Sequence, residues 1–378
     1  MTESDDDTND VRTRDPVVVD GSDGGGGVLR TALGLSVATG RPVRIENVRG
    51  DRPTPGLKDQ HVTCIEAARD LTNAVVDGAV RGSDVVWFDP GPVRGGSIDV
   101  DVGTAGSATL VCSAIMPATL VAERPFRLRV RGGTDVAWSP STEYFAGVTL
   151  GILRAHGIVG TVDAPRRGFY PSGGGLLRLT AGPSTAKRIV LDDDPTVSAV
   201  HVDVVASTDL ADADVAARLV DAATERLAGD TIAVPTQAAR YAETTSTGAV
   251  ITLRVEGRPT AGGDRPIPIA GFTALGEQGV PAETVAGDAV ERFERWREGD
   301  GAVDEHLADQ LVPYLALAGG RIRIPAVTDH VASAVAVART FGFEITIDEE
   351  AAPGNAAVLR ADGTGFLADG TGLRTEDG

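Results

Sequence analysis

Cysteine is nearly absent from this 378-residue chain: only Cys64 and Cys112 occur. They lie far apart, each inside an apolar segment, which argues against a disulfide framework or a zinc cluster and predicts two buried free thiols. Lysine is as scarce, Lys58 and Lys187 standing against 33 arginines. Apolar runs are short, and none approaches the roughly 18 residues that span a bilayer, so no membrane partner is expected. The acidic start, Met1 to Asp15, lacks the basic and apolar regions of a signal peptide, and a cytoplasmic location is the expectation.

What is present is acid and arginine. The net charge is −19, with aspartate leading the acids, a composition that looks like a halophile's surface. In molar salt the Debye length falls to roughly 3 Å, so crowded carboxylates repel one another weakly there. A nucleic-acid ligand would need a local arginine-lined cleft, because the average surface repels phosphate. The hydrophobic fraction of 42% can bury a substantial core, enough for two domains or one large domain with an insertion.

Along the chain, 1–15 reads as a disordered acidic tail. From Pro16 the order is a buried strand, a glycine loop over Gly24 to Gly27, a helix, and a second strand. A glycine loop aimed at a helix N-terminus can cradle phosphate through backbone N–H groups; a bare tight turn is the other reading. The loop RGDRPTPGLKDQH gathers Arg49, Arg52, Lys58, Gln60 and His61. It is either an anion clamp or a solvated loop whose arginines pair with Asp51 and Asp59. Loop, small-residue helix, turn and strand recur after Gly103 and again over Leu307 to Ile324, which suggests an internally repeated α/β domain. The character shifts near Pro183, so 184–299 is expected to be an inserted α/β domain, with 16–183 and 300–348 forming the main domain and 349–378 a tail. The stretch AVDEHLADQLVPYLALAGGRIRIPAVTDH places His306, Asp309 and Gln310 at a helix start and His330 at a strand-to-helix junction.

Taken together these motifs resemble the RNA 3′-terminal phosphate cyclase family. They are VDGS with its glycine loop, RGDRPTPGLKDQH, GTAGS, RGGTD, RRGFYPSGGG, LGEQGVPAE and DEHLADQ, in family order. The resemblance implies a large catalytic domain of repeated βαβαββ units, like the C-terminal domain of a translation initiation factor, interrupted by a smaller α/β insert. It implies an ATP-dependent ligase-class enzyme that uses a divalent metal, Mg or Mn, to convert an RNA 3′-phosphate to a 2′,3′-cyclic phosphodiester. A histidine–AMP intermediate and an RNA-adenylate lie on that path. By the same likeness His330 is the nucleophile; His306, Leu307, Ala308, Asp309 and Gln310 bind nucleotide; and Arg30, Arg49, Arg52, Gln60 and His61 face phosphates. The family's metal-contacting glutamate ahead of its triple glycine has no counterpart, so the metal ligands stay unassigned, Asp23 being nearest. A family glutamine falls at Ser113. RNA 3′ ends are the expected partner, DNA is not, and the oligomeric state is open. An RNA-binding or ribosomal-RNA-processing relative without catalysis is the alternative, and a small-molecule transferase of the enolpyruvyl type a third.

Overall fold

In the computed structural model, which describes residues 14–193, 196–228, 232–258, 266–352 and 354–363, the chain builds four four-stranded sheets. Most of the 1–15 tail therefore lies outside the described residues. The first unit runs β1 (Val17–Asp20), α1 (Gly25–Thr39), β2 (Val43–Glu46), α2 (Asp59–Thr72), β3 (Val75–Asp77) and β4 (Val86–Asp89). β1 and β2 are parallel, and β4 joins antiparallel between β2 and β3. The second unit repeats the topology with β5 (Gly96–Asp101), α3 (Ala108–Ile115) and β6 (Phe126–Gly132). A helical segment follows: α4 (Thr142–Tyr144), a π-helical turn over Phe145–Thr149, and α5 (Leu150–Ala155). Strands β7 (Gly160–Arg166) and β8 (Gly175–Ala181) close it, in the order β5-β6-β8-β7.

The third unit opens with β9 (Ile189–Leu191) and is then interrupted. The interruption comprises β10 (Thr196–Ser207), α6 (Val215–Leu227), β11 (Gln237–Ala242), β12 (Ala249–Arg258), β13 (Ile267–Leu275) and α7 (Ala282–Arg297), with its own sheet and its own apolar core. The unit resumes with α8 (Glu305–Ala318), β14 (Gly320–Ile324), α9 (Asp329–Thr340), β15 (Ile345–Asp348) and β16 (Ala357–Ala361). Its sheet order, β9-β14-β16-β15, is that of the other two. The mixed α/β fold of βαβαββ units anticipated above is thus present.

Two expected boundaries need correction. Ile189 and Leu191 pair with β14 and sit in the main core, so the insert begins after β9 rather than at 184. The segment assigned as a tail from 349 contains β16, which pairs with both β14 and β15 and buries Leu359. Without β16 the third sheet would lose its central link. Nothing is described of 364–378.

Strands β6 and β8 alternate buried and exposed residues, so one face packs on helices and the other meets solvent, whereas β14 and β16 are buried at four of five positions. β1 alternates in the same way as β6 and β8: Val17 and Val19 point inward while Val18 is exposed, so the strand expected to be buried is buried on one face. Helix α1 is the centre of the body, buried along most of its length and packed against α2, α3, α8 and α9. Gly34 makes this possible, since a β-carbon there would come within 2.9 Å of the Pro117 ring. Cys64 and Cys112 are buried as expected, and burial pushes the Cys64 thiol up to about 12. Neither thiol should therefore react with a disulfide reagent in the native protein, and both should titrate once guanidinium unfolds it.

Candidate active site

The site forms where the first and third units meet, at the N-termini of α1 and α9. The loop after β1 enters α1 through Gly24, and Gly25 takes φ of +58°, a left-handed conformation open to glycine at little cost. No side chain caps α1. Its first N–H groups stay available to an acceptor, and the helix dipole adds partial positive charge.

Four side chains close around this loop. A β-carbon on Gly27 would lie 3.7 Å from His330 Nδ1, one on Gly26 would lie 2.6 Å from His61 Nε2 and 3.1 Å from Arg30 Nη1, and one on Gly25 would lie 3.4 Å from Arg52 Nη2. At Gly26 a side chain would collide with His61, and at Gly25 the left-handed turn favours glycine; at Gly27 the distance is an ordinary contact.

His330 is the second residue of α9, whose N-cap Thr328 accepts from the Val331 amide. The imidazole is exposed. Asp309, on α8, faces the same space: burial pushes its carboxyl up, against the pull of Arg30, His330 and His306. Neither Arg30 nor Arg52 has a carboxylate within ion-pair reach among the described residues, so their guanidinium donors are not committed elsewhere. Burial lowers the pKa of Arg30 from its ordinary value.

His61 is set by a local helix rule. It is the third residue of α2, and its Nδ1 accepts the Lys58 backbone N–H at 3.1 Å, a capping-box arrangement with histidine in place of glutamate. With Nδ1 accepting, the proton of the neutral ring sits on Nε2, the atom nearest Gly26. Burial, then the charges of Arg30, Arg49 and Lys58, lower this imidazole to about 3. His61 is thus a neutral donor across the whole working range.

The sign of this shift carries a prediction. Between about 3 and the ordinary 6.5 the unfolded chain holds a proton on His61 that the folded chain rejects, so stability falls as pH drops through that window and is complete above it. Between pH 7 and 4.5 wild type should lose roughly 2–3 kcal/mol more than His61→Gln, read from urea melts of both proteins.

Gln60 accepts the Ser107 amide at 2.8 Å through Oε1, tying α2 to the GTAGS loop before α3. Arg49 is tied to its own loop, and its charge still reaches His61. Its backbone is left-handed at φ 57°, and its buried Nη1 donates to the Thr54 and Gly56 carbonyls, so it holds the loop's shape. The alternative pairing with Asp51 and Asp59 is absent: Asp59 pairs with Arg81, and Asp51 lies against Asp23.

Residues 306–310 separate by helical position, since successive side chains on a helix point about 100° apart. His306 is exposed and Asp309 faces the site. Leu307 and Ala308 are fully buried in the core, so their side chains cannot reach a nucleotide. Gln310 donates to the His306 carbonyl and accepts from Thr149. Asp304, the acidic residue that opens this helical run, is the N-cap of α8 and accepts from the His306, Leu307 and Gly271 amides and from the Tyr144 hydroxyl. An aspartate just ahead of an apolar helical run marks such a cap in the sequence; its bonds to the second unit and to the insert leave no local mark.

No group of three or more His, Cys, Asp or Glu side chains among the described residues is arranged to hold a metal. Asp23 and Asp51 lie side by side. The Asp23 carboxyl is raised first by its hydrogen bond with Asp51, then by the charges of Asp51, Asp20 and Asp329. Two carboxylates suit a hard cation that takes its other ligands from phosphate and water.

The family model for RNA 3′-terminal phosphate cyclase matches residues 22–347. The chain belongs to the RNA 3′-terminal phosphate cyclase family. Relatives carrying that name include one from Halobacterium salinarum, 38% identical over 88% of this chain and 96% of its own. One from Archaeoglobus fulgidus is 40% identical over 86% of this chain and 95% of its own. A third, from Pyrococcus furiosus, is 38% identical over 86% and 93%. A solved enolpyruvyl transferase, NikO from Streptomyces tendae, shares 17% identity over 42% of this chain and 31% of its own at a TM-score of 0.23, an overlap too small to bear on the activity of this cyclase-family chain. No described helix is long and apolar enough to cross a membrane.

Proposed function

We propose that this chain is an ATP-dependent RNA 3′-terminal phosphate cyclase working through His330. The observation that carries the reading is the meeting of His330 with an uncapped glycine-rich helix N-terminus, flanked by Arg52, Arg30 and the Nε2–H of His61. A triphosphate placed on α1 would take backbone N–H donors along its oxygens and two guanidinium groups with no competing ion pair.

Three displacements at phosphorus complete the reaction. A His330 ring nitrogen forms a P–N bond at the α-phosphorus while the bond to the bridging oxygen breaks, releasing pyrophosphate. The RNA 3′-phosphate oxygen then attacks this phosphorus, the P–N bond breaks, and AMP sits on the RNA end. Finally the adjacent 2′-hydroxyl attacks the 3′-phosphorus, loses its proton, and expels AMP. Arg52, Arg30 and the α1 amides neutralise charge on the pentavalent phosphorus, and the neutral His61 donates without adding a charge that would titrate. The divalent cation would rest on Asp23 and Asp51 and supply charge neutralisation at the phosphates.

The test is incubation of the purified chain with α-labelled ATP and Mg²⁺ or Mn²⁺ in molar KCl, followed by a 3′-phosphorylated oligonucleotide. An acid-labile, alkali-stable protein label that chases into AMP and a cyclic-ended RNA is the expected result. RNA binding without label under any of these conditions would instead leave a non-catalytic RNA-binding relative.

A further inference from the structure

We infer that Trp138 and Tyr170 form a stacking platform for the bases of the single-stranded RNA 3′ end, beside the phosphate site. The inference rests on the cyclase reading for its RNA but on separate observations for its place.

Aromatic residues are 4% of the chain. Every one in the described residues is buried or half-buried except two, Trp138 at 99% exposure and Tyr170 at 75%. Both lie on loops at one end of the second unit. The loop after β6 and the loop between β7 and β8 are joined where the Thr134 amide donates to the Gly168 carbonyl at 2.9 Å and the Gly168 amide donates to Thr134 Oγ1 at 3.0 Å. Trp138 is four residues from the first partner and Tyr170 two from the second. A β-carbon on Gly173, in the same loop as Tyr170, would lie 2.8 Å from the Ala105 backbone, so this pair of loops sits on the GTAGS loop. The Gly133 amide reinforces that seat by donating to the Gly106 carbonyl. The next residue, Ser107, donates to Gln60, the neighbour of His61. A bonded path thus runs from the phosphate site to the two rings, along the ends of parallel strands where α/β folds place their ligands.

Trp138 also departs from the chain's own rules. Its backbone is left-handed at φ 58°, an outlier for a bulky side chain, and its indole gains no burial in return. Local strain that exposes an apolar ring is a mark of a functional position. Stacking suits this protein chemically. Contacts to phosphate weaken steeply with salt, and the average surface of a chain of charge −19 repels phosphate, whereas base–aromatic stacking uses no ion pair and accepts any base.

The experiment uses the full chain, with Trp138→Ala, Tyr170→Ala and Trp138→Phe. Self-adenylylation by ATP alone involves no RNA, so it reports the fold and the phosphate site in each variant. The expected result is a rise of roughly tenfold or more in KM for a 3′-phosphorylated oligonucleotide in both alanine variants. Little change is expected with a mononucleoside 3′-phosphate, and Trp138→Phe should recover most of the loss. Oligonucleotide should also quench Trp138 emission, a signal missing from Trp138→Phe. Unchanged oligonucleotide KM, or an equal loss with the mononucleotide, would overturn the platform. Absence of adenylylation in wild type would overturn the cyclase reading, while the quenching measurement would still decide whether these rings bind RNA.

Discussion

His330→Ala is expected to carry no adenylyl label and to lose cyclisation by at least roughly a thousandfold, with an unchanged melting temperature. The side chain is exposed, caps nothing and fills no part of the core, so its removal has no structural consequence to confuse the reading. What would remain is a cradle of Arg30, Arg52, His61 and the α1 amides that still binds triphosphate. ATP should therefore still raise the melting temperature of the variant, by mass action on the folded state. The pairing of retained ATP binding with lost label separates a nucleophile from a positioning group. Label persisting in the variant would move the covalent bond elsewhere and sink the assignment. Its chemistry would say where, since a lysine phosphoramidate would have to form on Lys58 or Lys187.

The predicted severity follows from what the neighbours cannot do. Asp309 carries carboxyl oxygens and no ring nitrogen, and the His61 ring offers an N–H rather than a lone pair to the site, because its Nδ1 is taken by the Lys58 amide. Neither can replace a ring nitrogen at phosphorus. Arg52→Ala should be milder, roughly ten- to a hundredfold in cyclisation, because Arg30 and the helix amides still face the phosphates.

The repeat was legible because glycine loops before small-residue helices leave a composition mark that survives sequence divergence. Its third copy was only half visible. About a hundred residues separate β9 from α8, so the strand that opens the unit was counted with the insert. The strand that closes it, β16, is five residues long between glycine-bearing loops and looks like tail. The site residues divide in the same physical way. His330 and His61 stand in the first turns of α9 and α2, Arg30 in the second turn of α1 and Arg52 in the loop ahead of α2, stretches that the motifs mark well. The anchoring of Arg49 was not legible from its type, since its left-handed backbone and its Nη1 bonds to the Thr54 and Gly56 carbonyls are set by the loop's own geometry. Leu307 and Ala308 belong to the motif by adjacency alone; the helical period sends them into the core.

Asp304→Ala is expected to be the most damaging single change to stability, costing at least roughly 4 kcal/mol and uncoupling the insert from the body. The Asp304 carboxylate is buried and accepts from the His306 and Leu307 amides of its own helix, from the Tyr144 hydroxyl of the second unit and from the Gly271 amide of β13, each at 2.9 Å. One side chain thus joins the third unit, the second unit and the insert. Alanine would leave the Tyr144 hydroxyl and the Gly271 amide buried with no acceptor, besides removing a helix cap worth about 1 kcal/mol. Tyr144→Phe removes one donor and leaves the carboxylate its three amides, so it should cost only about 1–2 kcal/mol. In the double variant the two losses should not add, because Asp304→Ala already strips the hydroxyl of its partner. Calorimetry reads the uncoupling directly. Wild type should melt in one transition, and Asp304→Ala in two, the core of β10–β13 with α6 and α7 separating from the rest. A single, slightly shifted transition in Asp304→Ala would mean that the Ser141–Thr252 hydroxyl contact and the Arg240–Glu143 pair suffice to dock the insert.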